Sequence, residues 1–142
     1  MNISSAFPPN YRAIEDTLGA LRDYRPLFCY GKTIYNPYKR DILPDDEAHE
    51  AVHAEQQYRN GLNPEMWWYK YLNGRQFRLE QEIEAYSAQY EFAKEHGVAG
   101  KLLDWLKERL ANELSGEAYG TLISYGEAVS KIRNYKRVSS AG

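Results

Sequence analysis

The chain of 142 residues contains one cysteine, Cys29, and so has no internal disulfide. That excludes the stapled scaffolds of small secreted proteins. Long hydrophobic runs are also missing: no stretch approaches the ~18 apolar residues that cross a bilayer as a helix. Met1 to Pro9 has neither a basic start nor an apolar run, so no secretory leader is expected there. Strong charge of one sign is absent as well. A formal net charge of −2 and a pI near 5.9 give no electrostatic footprint for nucleic acid. The basic cluster Lys131, Arg133, Lys136 and Arg137 fits a solvated helix face, and a DNA-associated regulator has only that feature behind it. There is no internal repeat and no low-complexity segment. The expectation is a cytoplasmic protein with no nucleic-acid or membrane partner. It should form one domain over residues 1–142, with residues 1–9 and 138–142 as flexible ends. A chain of this length buries enough surface to hold together without a metal or disulfide.

Aromatic residues are plentiful. Thirteen tyrosines and three tryptophans supply large amphipathic side chains for a small core and for partner contacts. Tyr11, Ile14, Leu18 and Leu21 recur at helical spacing and predict a first helix over about Asn10–Tyr24. Two short aromatic and β-branched runs, Pro26–Tyr30 and Thr33–Tyr35, flank Gly31-Lys32 and predict a hairpin. Proline followed by acidic residues at Pro44-Asp45-Asp46-Glu47 reads as a helix start, because free amides and the helix dipole favour negative charge there. Further helices are predicted from Pro64 to Asn73, from about Gln76 to Glu95, over Gly100–Leu114 and from Ser124 to about Tyr135. Leu102, Leu103, Leu106 and Leu110 form one side of the Gly100–Leu114 helix. The fold class is α+β, mostly α-helical, with one small β-hairpin.

Histidine is scarce: two of the chain's three lie in His49-Glu50-Ala51-Val52-His53. Residues four apart share a helix face, so His49 and His53 can present two imidazole nitrogens to one metal ion. Glu50 sits about 100° round from His49 on the helix, near enough to serve a metal-bound water without being a ligand. A carboxylate in that place can take the proton from the water as it attacks a carbonyl and deliver it to the leaving amine. Zinc makes hydroxide available at neutral pH by lowering the pKa of bound water toward ~7.

A catalytic zinc uses three protein ligands and an open position. Gln56 and Arg59 stand where the extended motif would need a glycine and a third histidine, so the ligand should be a carboxylate on a later helix. Glu82 has Leu79, Ala85 and Tyr86 at −3, +3 and +4, which places it on an inward face. Glu84 has Glu80, Gln81, Ser87 and Ala88 around it, a wetter stripe. A buried carboxylate is costly unless paired or metal-bound. Glu82 is therefore the preferred ligand and Glu84 the reserve.

The motif His49-Glu-x-x-His53 followed by Glu82-Ile83-Glu84-Ala85 resembles the gluzincin branch of the zincin metallopeptidases, in which a later helix supplies a glutamate ligand. The stretches His49–Gln57, Trp67-Trp68, Tyr71-Leu72 and Phe77–Leu79, with Glu82–Tyr86, look like small phage-encoded zincin-like proteins. This resemblance covers roughly residues 40–96, with a weaker echo at Leu114–Gly120. It implies a minimal zincin-like domain built on a metal helix, a Zn2+ ligand set of His49, His53 and Glu82, and Glu50 as catalytic base. It also implies a protein or peptide substrate. Where gluzincins often place an aspartate that orients a histidine, this chain has Tyr86, so the ligands' support must come from elsewhere.

A hydrolase also needs a donor for the developing oxyanion. Tyr119, Tyr125 and His96 are candidates because each lies near a glycine-bearing turn after the metal helices; the alternative for each is ordinary loop or core packing. Arg75 and Arg78 are expected to pair with nearby glutamates. Gln56 and Gln57 either support ligands or cap the polar face of the metal helix. Trp67, Trp68 and Tyr71 are expected in the core or on a partner-facing patch. The leading functional reading is a zinc-dependent peptide-bond hydrolase. The alternative is a phage virion or assembly protein, binding a phage structural protein, in which the zinc is structural or catalysis vestigial.

Overall fold

The computed structural model describes residues 1–135. Lys136, Arg137 and the expected flexible end 138–142 lie outside the described residues. The chain opens on strand β1 (Asn2–Ser4), then helix α1 (Tyr11–Thr17), a 3-10 turn (Gly19–Tyr24) and strands β2 (Phe28–Tyr30) and β3 (Thr33–Tyr35). Helices α2 (Pro44–Gln56), α3 (Pro64–Asn73), α4 (Arg75–Glu95), α5 (Gly100–Leu114) and α6 (Tyr125–Asn134) follow, with a 3-10 turn at Glu117–Tyr119 before α6. The α+β, mostly helical class holds. No helix among the described residues is long and apolar enough to cross a membrane.

β2 and β3 form the expected hairpin, with Cys29 opposite Ile34. Gly31 opens its two-residue turn at φ 63, where a side chain would be strained. The sheet has a third member. β1 lies parallel to β3, Ile3 opposite Ile34, so the order is β1-β3-β2. Residues 2–4 are thus part of the sheet, and the expectation of a flexible end over 1–9 does not hold for them. The expected first helix is also broken. Leu18 leaves helical geometry at φ −126, ψ 50, and Gly19, a poor helix former, begins the 3-10 turn. Ile14, Leu18 and Leu21 are nevertheless all buried, so the apolar spacing serves the core through two short pieces.

α2 begins as its sequence dictates. Pro44 takes the first helical position, and Asp46 accepts a hydrogen bond from the Leu43 amide at 3.1 Å. α4 is the central element and packs against α2, α3, α5 and α6. Because neighbours cover it on several sides, its buried residues include Arg78, Glu82, Glu84 and Gln89 as well as Ile83 and Tyr90. The expected division into a dry Glu82 face and a wet Glu84 face therefore fails for Glu84, which is also buried. On α5, Leu106 and Leu110 face inward and Leu103 packs beside them, but Leu102 is exposed.

Candidate metal centre

α2 and α4 lie side by side and bring three side chains to one point. His49 and His53 come from successive turns of α2, and Glu82 from the facing turn of α4. All three are buried, and each contributes a ligand-capable atom within 4.8 Å of the others. The two Nε2 atoms are 3.2 Å apart. Glu82 Oε1 lies 3.3 Å from His49 Nε2, and Glu82 Oε2 lies 3.2 Å from His53 Nε2. Ligands bound at zinc distances on a tetrahedral ion stand about 3.3–3.4 Å apart. The spacing of this donor set fits such an ion.

The protonation pattern points the same way. His53 Nδ1 faces Gln56 Oε1 at 2.8 Å, and His49 Nδ1 faces Gln89 Oε1 at 3.0 Å. Both amide nitrogens are committed to oxygens: Gln56 Nε2 donates to Gln81 O and Glu84 Oε1, and Gln89 Nε2 donates to Asp45 Oδ2. The amide oxygens therefore face the rings and accept from Nδ1–H, which leaves the lone pair of each neutral imidazole on Nε2. Two nitrogen lone pairs and a carboxylate then converge in a buried space. Glu82 Oε1 has no hydrogen-bond partner there. A metal ion or a proton in that space would offset the cost of burying these groups. Without a metal, a proton can serve. Burial pulls the His53 imidazole down, but Glu82 outweighs it and the pKa rises to about 9. Burial alone would raise the Glu82 carboxyl; the two imidazoles hold it well below the usual carboxylate range.

Around the triad, Tyr71 Oη donates to Glu82 Oε2 at 2.6 Å. The Tyr86 ring meets His49 edge-on with centroids 4.5 Å apart, and Trp67 packs on His53. Gln57 lies outside this shell. Its amide ties the hairpin to α2, accepting from Gly31 N at 2.6 Å and donating to Cys29 O at 2.8 Å.

Glu50 is buried, yet it makes no hydrogen bond or ion pair among the described residues. Burial raises its pKa, with the two imidazoles opposing in part. It lines two adjoining cavities of about 140 Å³ and 40 Å³, and His49, Leu27 and Tyr119 line both. Arg40, Asp46 and Glu113 are on the wall of the larger one.

The three expected oxyanion donors separate clearly. Tyr119 reaches the site, and its hydroxyl is 2.7 Å from that of Tyr86. Burial raises its pKa well above the ordinary value, so it stays protonated. Tyr125, at the start of α6, is 45% exposed and lines neither cavity. His96 is exposed at the end of α4, stacked on Phe92.

Arg75 and Arg78 do not pair with glutamates as expected. Arg78 donates to the carbonyls of Tyr119 (3.1 Å) and Tyr71 (2.8 Å), and Arg75 to those of Gly120 and Thr121. Both are bound to backbone because the turn carrying Tyr119 lies across the start of α4. Glu84, the reserve ligand, is not in the triad; it accepts from Gln56 Nε2 and pairs with Arg59 at 2.9 Å. Sequence reasoning missed Gln89 and the Tyr71 hydroxyl. Gln89 had a usable signal: Glu82, Tyr86 and Gln89 are spaced by four and three, one stripe of α4. Comparisons of the chain with models of protein families, with curated proteins and with solved structures find no match.

Proposed function

We propose that this protein is a zinc-dependent hydrolase of peptide or closely related amide bonds, with His49, His53 and Glu82 as metal ligands and Glu50 as general base. One observation carries the reading: two imidazole Nε2 atoms and a carboxylate converge in a buried space beside a second buried carboxylate, Glu50, and a cleft. Bound zinc would supply Lewis acidity, lowering the pKa of a water toward neutrality and polarising a carbonyl. Glu50 then accepts the proton that water gives up as its oxygen adds to the scissile carbonyl carbon. The same carboxyl returns that proton to the nitrogen as the C–N bond breaks. Its place on the cleft wall, with no hydrogen-bond or ion-pair partner among the described residues, leaves it free for both transfers. Tyr119, held protonated beside the cleft, is the donor available to the carbonyl oxygen as charge develops on it.

Metal analysis of the purified chain and Glu50→Gln test this together. The native protein should hold about one zinc per chain and cleave members of a quenched fluorogenic peptide mixture. Glu50→Gln should keep the zinc and lose roughly 10²–10⁴-fold in rate, the usual share of a general base. A zinc-loaded Glu50→Gln that cleaves at the native rate would remove Glu50 from its role, and a native chain that takes up no zinc would end the proposal.

A further inference from the structure

Gln56 and Gln89 are among the most deeply buried polar side chains of the protein, at 1% and 3% exposure. Each has one orientation that satisfies its neighbours. Turning Gln56 over would set its oxygen against Gln81 O, 3.0 Å away, and Glu84 Oε1, 2.9 Å away. Turning Gln89 over would do the same against Asp45 Oδ2 at 2.7 Å and Asp46 Oδ1 at 3.5 Å. The carboxylates that hold these amides are themselves anchored. Arg59 grips both oxygens of Glu84, at 2.9 Å and 3.0 Å. Arg109 approaches Asp45 at 3.8 Å, and Arg40 approaches Asp46 at 3.4 Å.

We propose that two charge-anchored chains, Arg59–Glu84–Gln56–His53 and Arg109–Asp45–Gln89–His49, fix the tautomer of both imidazoles and make Gln56 and Gln89 positioning residues for the metal. The inference rests on the zinc reading of the triad. An amide accepts the Nδ1–H bond but cannot take that proton, so each histidine remains a neutral ligand and Glu82 alone brings negative charge to the ion. The two chains differ in their ends. The His53 chain closes on a two-point arginine–carboxylate pair, whereas the His49 chain ends on half-buried aspartates in the first turn of α2. Gln89 of that second chain lines the cleft, as does the neighbouring Asp46, and its arginine stands 3.8 Å from Asp45, so it is the looser of the two.

The test uses the full chain, labelled with 15N-histidine and loaded with zinc. Only three histidines are present, so each ring can be assigned. Two slowly exchanging, downfield Nδ1–H resonances are expected, from His49 and His53. Gln89→Met should abolish or shift that of His49 alone, Gln56→Met that of His53 alone, and each should weaken zinc binding about 10–100-fold. Asp45→Asn is the milder companion in case a methionine variant does not fold. It keeps the amide of Gln89 but loses the charge that holds it, and should speed exchange of the His49 proton. Unshifted Nδ1–H resonances in Gln89→Met, or unchanged exchange in Asp45→Asn, with zinc bound, would overturn the relay while leaving the metal site standing. Failure of the native chain to bind zinc would overturn both.

Discussion

α4 separates two clusters of different chemistry. On one side Ile83, Tyr90 and Ala93 meet Leu106, Leu110 and Leu114 of α5 and Ala128 and Ile132 of α6. On the other, Ile14, Leu18, Leu21 and Phe28 meet Trp67, Trp68, Tyr71 and Leu72. The first cluster is largely aliphatic, with Tyr86 at its edge, where its hydroxyl meets that of Tyr119 and its ring meets His49. The second is aromatic, and its polar tips are all engaged: Trp67 Nε1 donates to Gln81 Oε1, Trp68 Nε1 to Cys29 O and Tyr71 Oη to Glu82. Aromatic rings with a polar handle can wall a charged site while satisfying its hydrogen bonds, which leucine cannot do. The triad sits against that second wall, with Trp67 on His53. The first cluster therefore supplies mainly stability and reaches the site through Tyr86 alone among its buried residues, whereas the second supplies stability and most of the ring wall around the site.

The change that should break this division most completely is Glu82→Gln. It removes the one charged donor of the triad and turns an amide N–H or a weaker acceptor toward two imidazoles. Zinc affinity should fall by more than the roughly 10–100-fold that changing an outer partner costs, while the aliphatic cluster is untouched. Competition with a chromophoric chelator measures it; near-native affinity would remove Glu82 from the ligand set. Next in size is Leu110→Ala, at a residue with no exposed surface. Truncating a buried leucine costs about 2–5 kcal/mol through lost burial and a residual cavity. Denaturant unfolding of the metal-free chain should show that loss, and zinc affinity of the folded variant should not move. A large change in affinity there would show that the two clusters are energetically one.

Much of this was legible in the sequence because it depends on local rules. The helix starts at Pro44 and Pro64, the hairpin at Gly31 and the His49–His53 pair follow from turn chemistry and helical period. The inward position of Glu82 was legible from Leu79, Ala85 and Tyr86 around it on the helix. What could not be read depended on partners distant in sequence. β1 is three residues long and exists through pairing with β3. Glu84 is buried because Arg59 comes to it from the turn after α2. Arg75 and Arg78 bind carbonyls because the 117–121 segment returns across them. Tyr119 and Tyr125 looked alike beside their glycines, and only that return path distinguishes them.

That path gives the smallest of these effects and the most specific. Ala118 belongs to the aromatic cluster, and Tyr119 packs against both clusters, so the turn joins the two. It ends at Gly120, whose φ of 92 an L side chain rarely adopts. A Cβ there would also stand 3.4 Å from Arg75 Nη1 and Arg78 Nη2, on the two guanidinium groups whose Nη1, Nη2 (Arg75) and Nε (Arg78) donate to the carbonyls of residues 119–121. Gly120→Ala should therefore cost about 1–2 kcal/mol from backbone conformation, and relieving the strain should move Tyr119 relative to Glu50 and His49. Zinc content should stay native, because no ligand or amide partner is on this turn, while peptide hydrolysis falls. Gly19→Ala is the matched control: nothing lies within 4 Å of its Cβ and its φ is not positive, so its effect should stay within about 0.5 kcal/mol. If Gly120→Ala lost zinc and hydrolysis together, the turn would be supporting the metal ligands themselves. Tyr119 would then act through the packing of Tyr86 on His49 and not as a donor to the substrate.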